Sequence, residues 1–250
     1  MTESDSAVSI ENLNFSYDGE PVLRNLDLEI RSGETFGILG PSGAGKSTLL
    51  LHLNGVLHGR GRVFIGGLEI AKATLPEIRR RVGLVFQNPD DQLFNPTVEE
   101  DVAFGPLNMG LERGEVERRV SDALRGMKLE GFEKRISHRL SFGERKRVAL
   151  ATVLAMEPQV IAFDEPFSNL DPAMVENLVD IIRNLKATVI VVSQQILPAL
   201  ACCDRLAVLK EGRILKTATP AELAADRDLL QSCGLDFRSV CRVCRDLVPS

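Results

Sequence analysis

The segment GPSGAGKST, at positions 40–48, has the composition and spacing of a loop that binds phosphate groups. It matches the pattern G-x-x-x-x-G-K-[ST], follows a short apolar segment and precedes a segment with helical character. The glycines let successive backbone N–H groups point toward the β- and γ-phosphates of a nucleotide, and a helix beginning near Lys46 adds the positive end of its dipole. Lys46 supplies a charge between the phosphates, and the hydroxyl of Ser47 suits Mg²⁺.

A second segment with chemical potential is VIAFDEP, at positions 160–166. Its apolar run is typical of a strand that ends at Asp164, where a carboxylate can bind Mg²⁺ directly or through water. Glu165 follows, in a place where it can orient or deprotonate an attacking water. An acidic pair at a strand end is usually an exposed turn, but downstream of a phosphate loop we interpret it as functional.

The elements that must position these residues alternate between strand and helix patterns. Strands are predicted at 8–15, 23–30, 35–40, 61–67, 81–86, 160–164, 188–193, 205–210 and 214–218, and helices at 46–55, 114–127 and 171–185. The last of these helices has Asp171 as N-cap and Pro172 at its first position. This alternation predicts an α/β fold with a central, mostly parallel sheet, and the helical stretch from about 97 to 155 indicates an inserted lobe.

The composition favours a globular protein with a sizeable core. The chain has 250 residues, 44% of them hydrophobic, and a net charge of −5, which gives no electrostatic reason to expect a nucleic-acid binder. No apolar run approaches the roughly 20 residues that span a bilayer, and the polar, acidic MTESDSAVSIE is not a secretory signal. Any work at a membrane is therefore expected at its surface, through a partner.

Five cysteines, an odd count without regular spacing, argue against a disulfide framework and fit a reducing compartment. Cys241 and Cys244 form one C-x-x-C pair, which we interpret as reduced thiols in a tail, with a metal or redox role as the alternative. The tail, about 228–250, is expected to pack on the rest of the chain or on a second subunit.

The segment LSFGERKRVALA, at positions 140–151, completes a pattern of motifs. A phosphate loop, LSFGE at a helix start, and about twenty residues later an apolar strand ending in Asp-Glu resemble the ATP-binding cassette ATPases. The resemblance covers nearly the whole chain. It implies one domain, 1–250, with the P-loop NTPase fold, N-terminal antiparallel β-strands and an inserted α-helical subdomain at about 88–157, and it implies ATP and Mg²⁺ as ligands.

The resemblance also assigns roles to individual residues. Ser141 and the N–H groups of Phe142 and Gly143 form an anion site at a helix start, and in the family this segment, which includes Glu144, caps the γ-phosphate held by Lys46 of a second, head-to-tail subunit. Asp171 ends the loop through which the two subunits sense each other. Lys46, Glu165 and Gln194 occupy the catalytic positions, and Ser47, Gln87 and Asp164 those of the Mg²⁺ ligands. The ATP-binding positions are Tyr17, which stacks on adenine, Gly40, Pro41, Ser42, Gly43, Ala44, Gly45, Lys46, Ser47, Thr48 and Gln87.

The segment FQNPDDQLFNPTVEEDVAFGPLN, at positions 86–108, resembles the ATPases of energy-coupling-factor importers and of cobalt and nickel importers. In those systems two ATPases, identical or different, dock on a transmembrane scaffold at the cytoplasmic face, and a separate membrane protein binds the vitamin or metal ion. Leu93, Phe94, Val98 and Phe104 can line a groove for the scaffold or belong to the core of the lobe. The nearby acids, Asp90, Asp91, Glu99, Glu100 and Asp101, can meet basic partner residues or form a solvated face.

Gln194 departs from the family pattern, in which a histidine at this position contacts the γ-phosphate. A glutamine amide donates a hydrogen bond but cannot become cationic, and charge-assisted bonds are roughly twice as strong as neutral ones. Loss of one transition-state donor typically costs about 10²–10³ in rate. We therefore expect normal ATP binding with slowed hydrolysis, or pairing with a different, fully active ATPase.

Three functions remain open on the sequence. The first is the ATPase subunit of a micronutrient importer, and the second is a cassette protein that acts on nucleic acid or ribosomes. The third is a regulatory module that binds ATP without turnover, for which Gln194 is the only support. The second kind usually carries two cassettes or a long coiled coil, and this chain has neither.

Overall fold

The computed structural model describes residues 6–235, which form two sheets with helices packed against them. The strands are β1 (Ser6–Tyr17), β2 (Glu20–Arg31), β3 (Thr35–Leu39), β4 (Arg60–Ile65), β5 (Leu68–Glu69), β6 (Val82–Val85), β7 (Val160–Asp164), β8 (Thr188–Ser193), β9 (Arg205–Lys210) and β10 (Arg213–Ala218). The helices are α1 (Lys46–Leu53), α2 (Leu75–Arg81), α3 (Val98–Asn108), α4 (Arg113–Gly126), α5 (Phe142–Leu154), α6 (Pro172–Arg183), α7 (Ile196–Cys202), α8 (Pro220–Ala225) and α9 (Arg227–Ser232).

The larger sheet has the strand order β10-β9-β3-β8-β7-β6 and is parallel except for the β9–β10 hairpin. Every residue of β8 is buried, as expected for a parallel strand that is covered on both faces and therefore carries a continuous apolar run. The smaller sheet, β2-β1-β4-β5, is antiparallel. The predicted α/β fold with antiparallel N-terminal strands is thus confirmed.

Three helices, α3, α4 and α5, lie between β6 and β7 in the chain, where the sequence predicts a helical lobe. Thr97 and Glu100 close a capping box at the start of α3. In α4 the apolar stripe Val116, Val120, Ala123 and Leu124 is buried, as its helical periodicity predicts. The boundaries of the lobe, about 88–157, stay a prediction.

Asp101 has neither of the roles proposed for the acidic cluster. It is buried, and its Oδ1 accepts hydrogen bonds from the backbone N–H groups of Phe94 and Asn95, at 3.0 and 2.8 Å, while its Oδ2 accepts one from Ser137 at 2.6 Å. A buried carboxylate with several donors organises the loop around it. The interpretation of Asp101 as a partner-facing or solvated acid was wrong, because one-dimensional spacing does not show which acids turn inward.

Several short elements escaped the sequence patterns. The strand β5 has two residues, and α2, α7, α8 and α9 have six or seven each, too few for a periodicity to develop. Within residues 6–235, no helix combines the length and the hydropathy needed to cross a membrane. Cys202, Cys203 and Cys233 are buried free thiols, whereas the predictions for Cys241, Cys244 and most of the tail fall outside the described residues.

His52, on α1, makes the fold sensitive to acid. Its Nδ1 donates to the carbonyl of Thr48 at 2.8 Å, and its Nε2 is buried without a hydrogen-bond partner among the described residues. Burial lowers the pKa of His52 below its ordinary value of 6.5; the Thr48 bond opposes the shift and nearby His58 adds to it. The neutral ring therefore contributes stability above about pH 6.5, and this contribution is lost as the pH falls below that value.

We expect the free energy of unfolding to drop between pH 7 and pH 5, with a slope from His52 of at most about 1.4 kcal/mol per pH unit. The measurement is urea denaturation across this range for the wild type, His52→Gln and His58→Gln. The slope should shrink only in His52→Gln, because His58 is exposed. An unchanged slope in His52→Gln would contradict the prediction.

Candidate nucleotide-binding and hydrolysis site

The predicted site residues converge at one edge of the larger sheet. β3, β7 and β8 are parallel, and their register pairs Leu39 with Ser193 and Asp164 with Val192. The carboxyl ends of these strands therefore lie side by side, and the loops that follow them carry the phosphate-loop motif, the acidic pair and the two glutamines. This edge is where open parallel sheets bind their ligands.

The phosphate loop connects β3 to α1 in a conformation that requires glycine. Gly45 precedes α1 with φ of 102°, in the left-handed region. Gly40 lies so close to β9 that a Cβ atom would overlap the carbonyl oxygen of Leu209. Ala44, Gly45, Lys46 and Thr48 are buried, whereas Ser42, Gly43 and Ser47 are exposed, so the loop presents part of its backbone to a ligand at the N-terminus of an eight-residue helix.

Lys46 and Glu165 form a buried ion pair. Lys46 Nζ lies 3.2 Å from Glu165 Oε1 and donates hydrogen bonds to the carbonyls of Gly40 and Pro41 at 2.8 and 3.0 Å. Glu165 Oε2 accepts a hydrogen bond from the backbone N–H of Gln194 at 2.9 Å, but Oε1 has no well-directed donor. Oε1 is buried, and its charge is balanced by the Lys46 ammonium.

Ser47 and Asp164 place two oxygen ligands next to this pair. Ser47 Oγ donates to Asp164 Oδ1 at 3.0 Å. Burial raises the pKa of Asp164 above its ordinary value, and Glu165 adds to the rise, while the Ser47 bond and the charge of Lys46 oppose it. A hard cation here would satisfy this partly buried carboxylate, and a hydroxyl and a carboxylate are donors that Mg²⁺ prefers. Among the described residues, no cluster of three or more His, Cys, Asp or Glu side chains forms a metal site, so nucleotide oxygens and water would complete the shell.

Gln194 and Gln195 follow β8 and have different environments. The backbone N–H of Gln194 bonds to Glu165, so this contact does not depend on which side chain stands at 194; its amide side chain is exposed. The side chain of Gln195 instead donates to the carbonyl of Phe167 at 3.3 Å. Sequence reasoning missed Gln195, because this contact joins two segments 28 residues apart and no motif marks it.

Tyr17 lies beside the helix that follows the phosphate loop. Its ring, 44% exposed, packs edge-on against Phe15 with centroids 4.8 Å apart, and Phe15 packs in the same way against His52 of α1. An exposed aromatic ring that is supported by other aromatic side chains can stack on adenine. The stacking of Tyr17 on adenine stays a prediction.

The residues Ser141 to Glu144 of the LSFGE segment, called the signature residues from here on, make no hydrogen bond to the phosphate loop within the described part of the chain. Ser141 is the N-cap of α5, and its backbone N–H donates to Glu144 at 2.7 Å in a capping box. Gly143 packs so closely under Met174 of α6 that a Cβ atom would overlap the thioether. Within residues 6–235, no hydrogen bond or ion pair joins Ser141, Phe142, Gly143 or Glu144 to residues 40–48.

Gln87 and Asp171 also lie away from the ion pair. Gln87 is exposed just after β6, and Asp171 is the exposed N-cap of α6, where its Oδ1 accepts from the N–H of Met174 at 2.9 Å. The structure therefore unites Lys46, Ser47, Asp164, Glu165 and Gln194 in one contact network. It leaves Gln87, Asp171 and Ser141 exposed, whereas Gly143 is buried beneath Met174.

Comparisons with known proteins find relatives that match most of the chain. The family model described as ABC transporter matches residues 23–168. An energy-coupling factor transporter ATP-binding protein of Methanocaldococcus jannaschii is 46% identical over 237 residues, which cover 91% of this chain and 84% of the relative.

Two solved structures add spatial similarity. CbiO1 of Clostridium perfringens, described as part of the ABC transporter complex CbiONQ, is 36% identical with a TM-score of 0.82 and covers 94% of this chain and 96% of its own. A dimeric ATP-binding cassette in a post-hydrolysis state, bound to ADP and Pi, is 29% identical with a TM-score of 0.76 and covers 85% and 98%.

The buried ion pair predicts a strong coupling between two substitutions. Lys46→Met leaves the carboxylate of Glu165 buried and unpaired, and we expect the free energy of unfolding without nucleotide to fall by roughly 3 kcal/mol or more. The double variant Lys46→Met/Glu165→Gln should recover part of this loss, because the buried charge is gone. Lys134→Met, which removes an exposed lysine paired with Glu99, is the control and should change little. The measurement is urea denaturation at pH 7, and a double variant no more stable than Lys46→Met would refute the coupling.

Proposed function

Because the chain belongs to the ABC transporter family, we propose that it is the ATP-hydrolysing subunit that powers import of a small micronutrient through a membrane complex of the energy-coupling-factor type. The proposed cargo is a cobalt or nickel ion or a vitamin, bound by a separate membrane protein; this part of the proposal rests on the resemblance of residues 86–108. The observation that carries the proposal is the contact network of Lys46, Ser47, Asp164 and Glu165 at the end of the phosphate loop.

These residues divide the work of phosphoryl transfer to water. The backbone of residues 40–48, α1 and the Lys46 ammonium hold the phosphates, and Tyr17 stacks on the base. Ser47 and Asp164, with Gln87 brought in from its exposed position, would hold Mg²⁺, which neutralises charge on the phosphate oxygens when bound. Glu165 accepts the proton of the attacking water or orients it for in-line attack on the γ-phosphorus, while the bond to the ADP oxygen breaks.

A second copy, or a related ATPase, would complete the site. The N-terminus of α5, with Ser141 as N-cap and Gly143 in its first turn, would be an anion site at the start of a 13-residue helix, and among the described residues no hydrogen bond or ion pair joins Ser141 or Gly143 to residues 40–48. In a head-to-tail dimer it would cap the γ-phosphate held by Lys46 of the other subunit. ATP then joins the subunits, and its hydrolysis releases them.

The docking surface for the membrane scaffold would be an exposed apolar patch on the helical lobe. Phe94 and Phe104 are 61% and 47% exposed and pack edge-on with centroids 4.8 Å apart, and Leu107 lies exposed one turn further along α3. Leu93 and Val98 are instead buried, which assigns them to the core of the lobe. The buried carboxylate of Asp101 accepts a hydrogen bond from the backbone N–H of Phe94 and fixes its position. The patch is therefore an ordered apolar surface that fits an amphipathic helix of a partner.

The ATPase is tested by single-turnover hydrolysis with Mg²⁺ at high protein concentration. We expect the wild type to form ADP and Pi and Glu165→Gln to bind ATP without turnover, because the carboxamide cannot accept a proton. Gln194→His should hydrolyse faster, by up to about 10²–10³, because an imidazolium donates a charge-assisted bond.

Equal rates for the wild type and Gln194→His would show that the glutamine is a tolerated substitute. A wild type as inactive as Glu165→Gln, beside an active Gln194→His, would identify the chain as a binding subunit of an active partner ATPase. Lys216→Met, on the exposed strand β10, is a control that should keep the wild-type rate.

Substitutions in the docking patch should remove binding of the membrane partner without affecting ATP hydrolysis. Phe94→Ser/Phe104→Ser should abolish co-purification of detergent-solubilised membrane proteins with the tagged chain, since most of the exposed apolar area of the patch is removed. ATP hydrolysis by the isolated chain should stay within about twofold of the wild type, because no catalytic residue changes. Leu215→Ser, which removes an equally exposed leucine on β10, is the matched control. Retained co-purification by the double variant would overturn this assignment of the patch.

A further inference from the structure

The loop that follows β7 has an unfavourable backbone conformation that contacts from other elements must stabilise. This loop, the Glu165 loop, comprises residues 165–171. Glu165 and Asn169 have φ of 44° and 60°, in the left-handed region. Asparagine tolerates this region, but a glutamate adopts it at a cost that the surrounding structure must offset. The conformation of Glu165 therefore depends on what holds the loop.

Two side chains from other elements hold three consecutive carbonyl groups of the loop. Lys146 Nζ, from α5, donates to the carbonyls of Pro166 and Ser168 at 2.7 and 2.9 Å. Gln195 Nε2, from the end of β8, donates to the carbonyl of Phe167 at 3.3 Å. The side chain of Phe167 is almost fully buried in the core. The segment is therefore held both by hydrogen bonds to its carbonyl groups and by the packing of Phe167.

We propose that Lys146 and Gln195 are positioning residues for ATP hydrolysis, which hold the Glu165 loop so that the carboxylate of Glu165 faces the attacking water. This inference rests on the proposed ATPase function. Neither side chain needs to touch the nucleotide. Lys146 lies five residues after Ser141, so its bonds join the Glu165 loop to the helix whose N-cap is Ser141.

The charge of Lys146 changes with pH near 8. Burial lowers the pKa of Lys146 to about 8, and the charge of Glu165 opposes this shift. The ring of Phe142 lies 5.4 Å from its Nζ, and the other charged groups of the surrounding cleft are Lys128, Arg147 and Asp180. As the pH rises through about 8, the ammonium loses its proton and its bonds to the two carbonyls become neutral and weaker.

The test compares steady-state ATP hydrolysis, with saturating Mg²⁺, by the wild type, Lys146→Met, Lys146→Arg, Gln195→Leu and the double variant Lys146→Met/Gln195→Leu. We expect Lys146→Met to lower kcat by about 10- to 100-fold, because small misplacements of a catalytic group cost this much. Gln195→Leu, which removes one longer neutral bond, should have a smaller effect in the same direction. KM for ATP should change less than about twofold in both variants, since residues 40–48 are untouched.

Two further readouts separate positioning from general stability. The kcat of the wild type should fall above about pH 8, and Lys146→Arg should retain activity there, since a guanidinium stays protonated. The double variant should lose less than the product of the two single losses, because both residues act on one loop. Lys216→Met and Gln159→Leu, at exposed positions on β10 and before β7, are the matched controls and should keep the wild-type kcat and pH profile.

Each possible result decides the matter. A wild type without hydrolysis overturns both the proposed function and this inference. A wild type that hydrolyses ATP while Lys146→Met and Gln195→Leu keep its kcat overturns the inference alone. A drop in thermal unfolding temperature with kcat and the alkaline limb unchanged shows a merely structural role and also overturns it. If Lys146→Met does not fold, Gln195→Leu and the pH profile of Lys146→Arg still decide.

Discussion

The parallel register of β3, β7 and β8 is the constraint on which the site depends. It ends three strands at Leu39, Asp164 and Ser193 on the same edge of the sheet, so that the phosphate loop, the acidic pair and the two glutamines become neighbours. Each strand is apolar because helices or the second sheet cover both faces. Because the strands are buried, their polar side chains lie only at the strand ends, and the proposed site residues follow the carboxyl ends.

Charge at this edge is balanced within the protein. Burying the ammonium of Lys46 is costly unless it has partners, and it has two carbonyls of its own loop and the carboxylate of Glu165. Phosphate oxygens would offer Lys46 stronger partners than the carbonyls, and would release Glu165 to act on water. A single ion pair thus joins Lys46, the residue proposed to hold the phosphates, to Glu165, the residue proposed to activate the nucleophile.

The helix α5 connects the regions that a transport cycle would have to coordinate. Its N-terminus carries the signature residues, and Lys146, one turn later, holds the Glu165 loop. Gln92, in the segment before α3, accepts from the N–H of Phe86 and donates to the carbonyl of Ala149 and to Thr152. The exposed pair Phe94 and Phe104 flanks this segment, so the proposed docking patch lies close in the chain to a residue that is hydrogen-bonded to α5.

The sequence by itself determined most of the longer strands and helices and the nucleotide motif. β7, β8 and β9 have the predicted bounds, because buried parallel strands are continuous apolar runs with polar ends. The motif at 40–48 fixed the phosphate loop, because its glycines and lysine are required by local backbone geometry and charge. These features depend on neighbours in the chain, and therefore a one-dimensional pattern records them.

Only the tertiary structure decided which side chains turn inward and which distant segments meet. Leu93 and Phe94 are adjacent in the sequence, yet one is buried and the other exposed. Asp101 looked like a surface acid and is a buried acceptor for the loop above it. The contacts of Lys146 and Gln195 with the Glu165 loop join segments more than 19 residues apart. Packing of the lobe and register of the sheet set such contacts, and no local pattern encodes them.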